Sequence, residues 1–254
     1  MRLGQSCLTF CRCLTMLAIS AALAAGTLTS AQQDQLPLAP PLPAERIVAE
    51  MQLHNRMRRQ HLLHYVSTRR YAVKYQGFLR SLTAAMEVQA SFQGENGESL
   101  QIVGQSGSKF LRDEVLKRAV VSEADASQHP LATELSPRNY TFKMLGTEGV
   151  SGRPAYVLQV HARYPGKYLY DGKIWVDAAD FALARIEAVP ARSPSFWIRH
   201  TEIHEEFAPV GGFWLPRSNR SETKVRFGGT AAFTIDYGTY RIVASDVPTS
   251  QSTK

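Results

Sequence analysis

Between residues 139 and 244 apolar and polar side chains alternate with a period of two, in segments cut by turn signals, and this pattern restricts the fold more than any other feature. Successive side chains on a strand point to opposite faces, so such segments are half-buried strands, and their regular spacing predicts an antiparallel meander. The segments are 139–146, 154–163, 167–177, 181–189, 196–208, 213–227 and 230–244. Gly149 with Gly152, Asp177 to Asp180, Gly211 with Gly212 and Gly228 with Gly229 supply the short loops that hairpins use. Upstream, Tyr71, Val73 and Tyr75 alternate with Ala72 and Lys74. Met86, Val88, Ala90 and Phe92 alternate with polar residues, and LQIVGQ follows the turn-like GENGES. A sheet of about ten strands is near the limit for a flat one, so this one is expected to curl into a barrel or a deeply bent half-barrel with a concave interior.

Two stretches change to helical spacing. Residues 44–63 place Ile47, Met51, His54 and Met57 or Arg58, then His61 and Leu62, along one stripe, with Arg46, Arg56 and Arg59 mostly turned away. SKFLRDEVLKRAVVSEAD repeats the pattern through Phe110, Val115 and Ala119, with Ser108 as N-cap. The expected fold class is mainly β with two or more helices (α+β), a curved antiparallel sheet forming an incomplete barrel with a helical lid.

The N-terminus reads as an export signal. Residues 1–31 combine Arg2 and Arg12, the apolar run Leu14 to Leu28, and the small residues Thr29, Ser30 and Ala31, after which cleavage is expected. The alternative, an uncleaved anchor, needs about 20 apolar residues to span, and the run is shorter. Residues 32–43 contain LPLAPPLP, a semi-rigid spacer; 44–244 form the domain; 245–254 are read as a flexible tail. Cys7, Cys11 and Cys13 all precede the apolar run, so none is a lipid-attachment cysteine and the exported chain has no disulfide, thiolate metal site or cysteine nucleophile. The net charge of +7 comes from basic residues scattered among acidic ones. That suits an anionic membrane surface or partner better than nucleic acid, which usually meets a clustered basic face.

The chemistry-bearing patterns are weak. His200, Glu202, His204 and Glu206 fall on one face of a strand, where polar residues more simply form its wet side than a metal site. His54, His61 and His64 lack metal-protease spacing, GQSGS at Gly104 to Ser108 lacks the last glycine of a nucleophile elbow, and no phosphate loop or dinucleotide fingerprint occurs. The triplets at Asn139 and Asn219 match a glycosylation pattern that arises often by chance. No catalytic residue, metal or cofactor is expected. Aromatic residues are spread over nearly every strand, and a bent sheet with only two helices to fill its concave side leaves room for an apolar cavity, the usual form of a lipophilic site. Its lining is read as Met86, Val88, Phe92, Leu158, Trp175, Ile186 and Trp197.

The order of signal, helix, strands, helix and long antiparallel run, with KYLYDGKIWVDAADFALARIEA, PSFWIRHTEIHEEF, GGFWLPRS and FGGTAAFTIDYGTYRI, resembles the LolA-like periplasmic outer-membrane lipoprotein-sorting proteins over residues 44–244. KIWVD at Lys173 to Asp177 and GFWLP at Gly212 to Pro216 carry the likeness most specifically. The resemblance implies an incomplete eleven-stranded barrel, closed by helices around a cavity for lipoprotein acyl chains, and a gating arginine for which Arg69, Arg70 and Arg80 are candidates. It also implies relatives that serve as membrane-anchored receptors or as envelope sensors on the same fold. The expected function is a monomeric, non-enzymatic periplasmic carrier of lipids or lipoproteins, working with inner- and outer-membrane partner proteins and not with nucleic acid. The alternative is an envelope sensor with no transfer activity; a metal-dependent or serine hydrolase is a distant third.

Overall fold

The computed structural model describes residues 40–94, 97–193, 198–226 and 228–244. The signal segment 1–31, most of the linker 32–43, the tail 245–254 and Trp197 lie outside the described residues. Helix α1 (Ala44–His61) leads directly into β1 (Leu62–Gln76), β2 (Ser81–Gln93) and β3 (Glu98–Gly107). A helical segment follows: α2 (Lys109–Leu111), a π-helical turn (Arg112–Leu116), α3 (Lys117–Ser127) and the short α4 (Pro130–Thr133). The rest of the chain is β4 (Tyr140–Val150), β5 (Arg153–Ala162), β6 (Tyr170–Asp177), β7 (Leu183–Pro190), β8 (Ile198–Val210), β9 (Phe213–Val225), β10 (Thr230–Tyr237) and β11 (Arg241–Ala244).

All the strands belong to one sheet, in the order β3-β2-β1-β10-β9-β8-β7-β6-β5-β4, with every pairing antiparallel. Strand β1 is long enough to hold two partners on one side: β10 along Arg69 to Gln76, and β11 along Leu62 to Val66. The edges β3 and β4 do not pair with each other, so the sheet is open. Its curl is visible at the end of α3. Asp125 accepts from Lys167 in the β5–β6 loop at 2.5 Å, while Gln128, three residues on, lies over Gly97 in the β2–β3 hairpin. One helix end therefore reaches loops from both halves of the sheet.

Two apolar clusters fill the concave face. In the first, Ile47, Val48 and Met51 of α1 pack on Tyr156, Leu158, Ile174 and Ile186 of β5 to β7. In the second, Leu111, Leu116 and Val120 of the α2–α3 segment pack on Tyr71, Val73, Met86, Val88 and Ile235. A smaller cluster lies on the opposite face, where Val157, Trp175 and Ala184 meet with Trp214 against them.

The observed elements depart from the sequence reading in three places. The second helix is broken by its π-helical turn, residues 130–133 add a short helix before the strand expected from 139, and 230–244 is two strands separated at Gly238. Gly238 has a steric reason: its N–H donates to the Thr68 carbonyl at 2.8 Å, and a β-carbon there would stand 2.7 Å from that oxygen.

Candidate functional site

Strand periodicity decides which residues face the interior. On β1 the inward set is Tyr65, Ser67, Arg69, Tyr71 and Val73, all buried, and on β2 it is Ala84, Met86, Val88 and Ala90. Cross-strand partners share a face, so the register carries this side through Ile235, Asn219, Glu205 and Ile186 and on to Ile174 and Leu158. Of the lining residues read from the sequence, Leu158 and Ile186 lie under α1, and Met86 and Val88 lie under α2–α3. Phe92 stacks on Tyr65 at 5.2 Å in a third apolar cluster, with Phe213 and Leu215, near the other end of β1. Trp175 stands on the opposite face, which corrects its grouping with the others. It pairs with Val157, one position out of phase with Ile174 and Leu158, and its indole N–H donates to Glu148 at 2.8 Å. In KIWVD, Ile174 to Asp177 are all buried, so alternation could not tell its two faces apart.

Between the residues under the two helical covers runs a strip of floor that joins neither apolar cluster. Ile203 and Glu205 of β8 with Asn219 and Ser221 of β9 face inward, half-buried, and Ile203 belongs to no apolar cluster. Burial, with Glu123 nearby, pushes the Glu205 carboxyl up to about 7. The sequence reading passed over Glu205. Its signal was its phase, in step with Ile203 and Phe207 and out of step with the wet face of His200, Glu202 and His204. On that outer face His200 meets Glu202 at 3.1 Å, and among the described residues no group of three or more could hold a metal ion. Asn139 is fully buried, its amide donating to the Leu131 and Glu134 carbonyls at 2.9 Å, which makes it a loop clamp.

The covers are fastened differently. The fully buried side chains of α1 lie in its first half; farther along His54 meets the Phe181 ring at 5.6 Å, and Leu53 and Met57 are nearly half exposed. Arg58 near its C-terminal end donates to Asn55 at 2.9 Å and to the carbonyl of Asp180 in the β6–β7 turn. Burial lowers the pKa of this guanidinium despite Asp180 and Asp177 close by. Arg153 braces that turn from β5 through Asp177 and Asp180, at 2.5 and 2.7 Å. Under this end of α1 lies a pocket of about 250 Å³, with Arg58 and Arg59 at its rim and Leu62, Leu183, Phe207, Phe213 and Leu215 among its walls. Two guanidinium groups above apolar walls suit an amphipathic anion.

The second cover is held by Arg69. Only 2% exposed, it donates to Glu98 of β3 at 2.8 Å and to Glu123 of α3 at 2.7 Å, with the Tyr237 ring 4.9 Å away. Tyr65 donates to Glu98, and Tyr71 and Tyr237 donate to Glu123. Burial works against the Arg69 charge, but Glu123 and Glu98 outweigh it and raise its pKa. Of the three candidate arginines, Arg69 alone reaches the interior; Arg70 and Arg80 are exposed.

No family model and no curated protein matches the chain. It is similar to a solved DUF1329 family protein from Desulfovibrio piger, with 16% identity over 84% of this chain and 97% of that one, at a TM-score of 0.44. A putative outer membrane lipoprotein-sorting protein domain from Vibrio parahaemolyticus shares 11% over 80% and 95%, at 0.40. A LolA superfamily protein from Nitrosomonas europaea shares 11% over 84% and 99%, at 0.34.

Proposed function

We propose that the protein is an exported, non-enzymatic carrier that takes lipid or lipoprotein acyl chains onto the concave face of its sheet. The observation behind this reading is how that face is covered: by two separate helical pieces, with a half-buried strip of floor between them that joins neither apolar cluster. Lifting α2–α3 would bare Met86 and Val88, lifting α1 would bare Leu158 and Ile186, and Phe92 continues the apolar surface beyond them. An acyl chain buried there gains about 0.8 kcal/mol per methylene, enough to replace helix contacts without any catalytic group. The pocket beneath Arg58 and Arg59 offers the acidic end of such a ligand a place to stay near water.

The test is native mass spectrometry with lipid extraction on the chain purified after export, followed by titration with a fluorescent fatty acid. Acyl lipid at about one per chain is expected. Ile203→Lys, which alters the strip without touching either apolar cluster, should weaken fatty-acid binding at least tenfold while the melting temperature holds. A folded protein that carries no lipid and binds no fatty acid overturns the carrier and favours the sensor, with a peptide on the same face.

A further inference from the structure

Turns ordinarily take Gly, Pro, Asn, Asp or Ser because backbone geometry asks for them. The β1–β2 hairpin departs from this. Its tip is closed by the Gly77 N–H donating to the Arg80 carbonyl at 3.0 Å, and between those residues stand Phe78, 98% exposed, and Leu79, 90% exposed. Neither side chain belongs to any apolar cluster of the fold. Two large apolar side chains held in water by a tight turn do nothing for the fold.

The charge around them is mostly positive. The register aligns Ser81, Gln76, Thr230, Lys224 and His200 in one row, so the β1–β2 tip, the β9–β10 tip and the start of β8 share one end of the sheet. The start of α2 joins them through the Ser108 N–H, which donates to the Thr83 carbonyl, and brings Phe110, 64% exposed. The stretches 74–83 and 105–112 at this end contain no Asp or Glu and hold Lys74, Arg80, Lys109 and Arg112, of which Lys109 is paired with Asp113 at 2.6 Å. Lys74, Arg80, Lys224 and Arg226 flank the apolar tip and are exposed. On the outer face a shallow groove of about 330 Å³ leads away from the tip between Arg70 and Lys74, over Ala72, Ala85 and Ala232. The opposite end is mixed, with Glu98, Glu148, Asp177 and Asp180 among its arginines.

We infer that this end of the sheet docks on an anionic lipid bilayer, Phe78 and Leu79 entering the acyl boundary while the surrounding lysines and arginines meet lipid phosphates. Shallow apolar insertion ringed by cations is the arrangement that holds peripheral proteins at charged interfaces. A protein partner of matching shape would need an acidic rim around a pocket for two side chains; a bilayer supplies both features everywhere on its surface. The inference stands apart from the cargo reading, since it uses no residue of the concave face.

The test is flotation of the exported chain with vesicles of phosphatidylcholine alone or mixed with phosphatidylglycerol. Binding is expected to the mixed vesicles only and should weaken with salt. The pair Phe78→Ser with Leu79→Ser, and separately Arg80→Glu with Lys224→Glu, should each reduce that binding at least tenfold with unchanged melting temperature and fatty-acid binding. Equal binding to neutral vesicles, no binding to mixed ones, or full binding by the Phe78 and Leu79 double variant overturns the inference. Loss of fatty-acid binding without loss of flotation would overturn the carrier alone.

Discussion

Arg69 sits among groups that make sense only while it is present. Two carboxylates, Glu98 and Glu123, and the phenols of Tyr65, Tyr71 and Tyr237 converge on it in the interior. Removing one partner of a buried ion pair leaves the other charges uncompensated, at about 3–5 kcal/mol. Arg69→Ala is therefore expected to lower unfolding stability by about 3 kcal/mol or more in urea, and Arg69→Lys to restore only part of it, because lysine lacks the planar fork. Arg70→Ala, one residue away on the exposed face, should stay within about 0.5 kcal/mol of the parent. The family resemblance offered Arg69 beside Arg70 and Arg80 without choosing among them, and the phase with Tyr71, Val73 and Tyr75 is what separates Arg69 from Arg70. Glu205 gives a second expectation at this scale. Its carboxyl is raised to about 7 by burial and by Glu123, with Tyr170, Tyr237 and Tyr240 also near it. The folded protein thus holds a proton there that the unfolded chain releases near the ordinary carboxylate value of about 4.3. Stability from this group is complete below that value and is lost as pH rises through about 7. Thermal melts from pH 4.5 to 8 should show Glu205→Gln with a shallower decline than the parent; parallel curves would assign the slope to another group.

Among the elements, the second helical cover buries little for its length. α2, the π-helical turn and α3 bury one side chain each, Leu111, Leu116 and Val120. The π-helical turn widens the backbone in the middle of the segment, which is where such turns mark a place of give. Amide exchange is expected to be faster throughout residues 109–127 than in β1 or β5, and Glu123→Gln should speed it further by weakening the tie to Arg69. Exchange as slow as in β1 would show a fixed wall rather than a cover. Sequence periodicity located both covers and nearly all the strands, because amphipathic patterns report which face is buried. It missed the break at Gly238, where apolar spacing runs on through Tyr237 and Tyr240 and only the close approach to Thr68 interrupts the strand. It also misplaced Trp175, because the middle of β6 is buried on both faces.

For the molecule as a whole, the open sheet brings different chemistry to different places. The interior is apolar with a narrow polar floor, one end of the β3 to β8 half is basic and tipped with Phe78 and Leu79, and the pocket under α1 opens at the other end. Such a division lets cargo and surface be tested apart, as the two sets of variants above do. The pairing of β1 has a consequence for how the fold is reached. Arg69 lies opposite Tyr237 and Leu62 opposite Ala244, so the first strand of the sheet has its inner neighbours among the last residues of the domain. A growing chain can close β1 to β3 and β4 to β9 as local hairpins, yet the two blocks stay unjoined, each with a bare edge, until β10 and β11 emerge. Assembly of the concave face is thus a late, long-range event. A chain cut before residue 230 would yield two sticky sheets rather than a smaller version of this one.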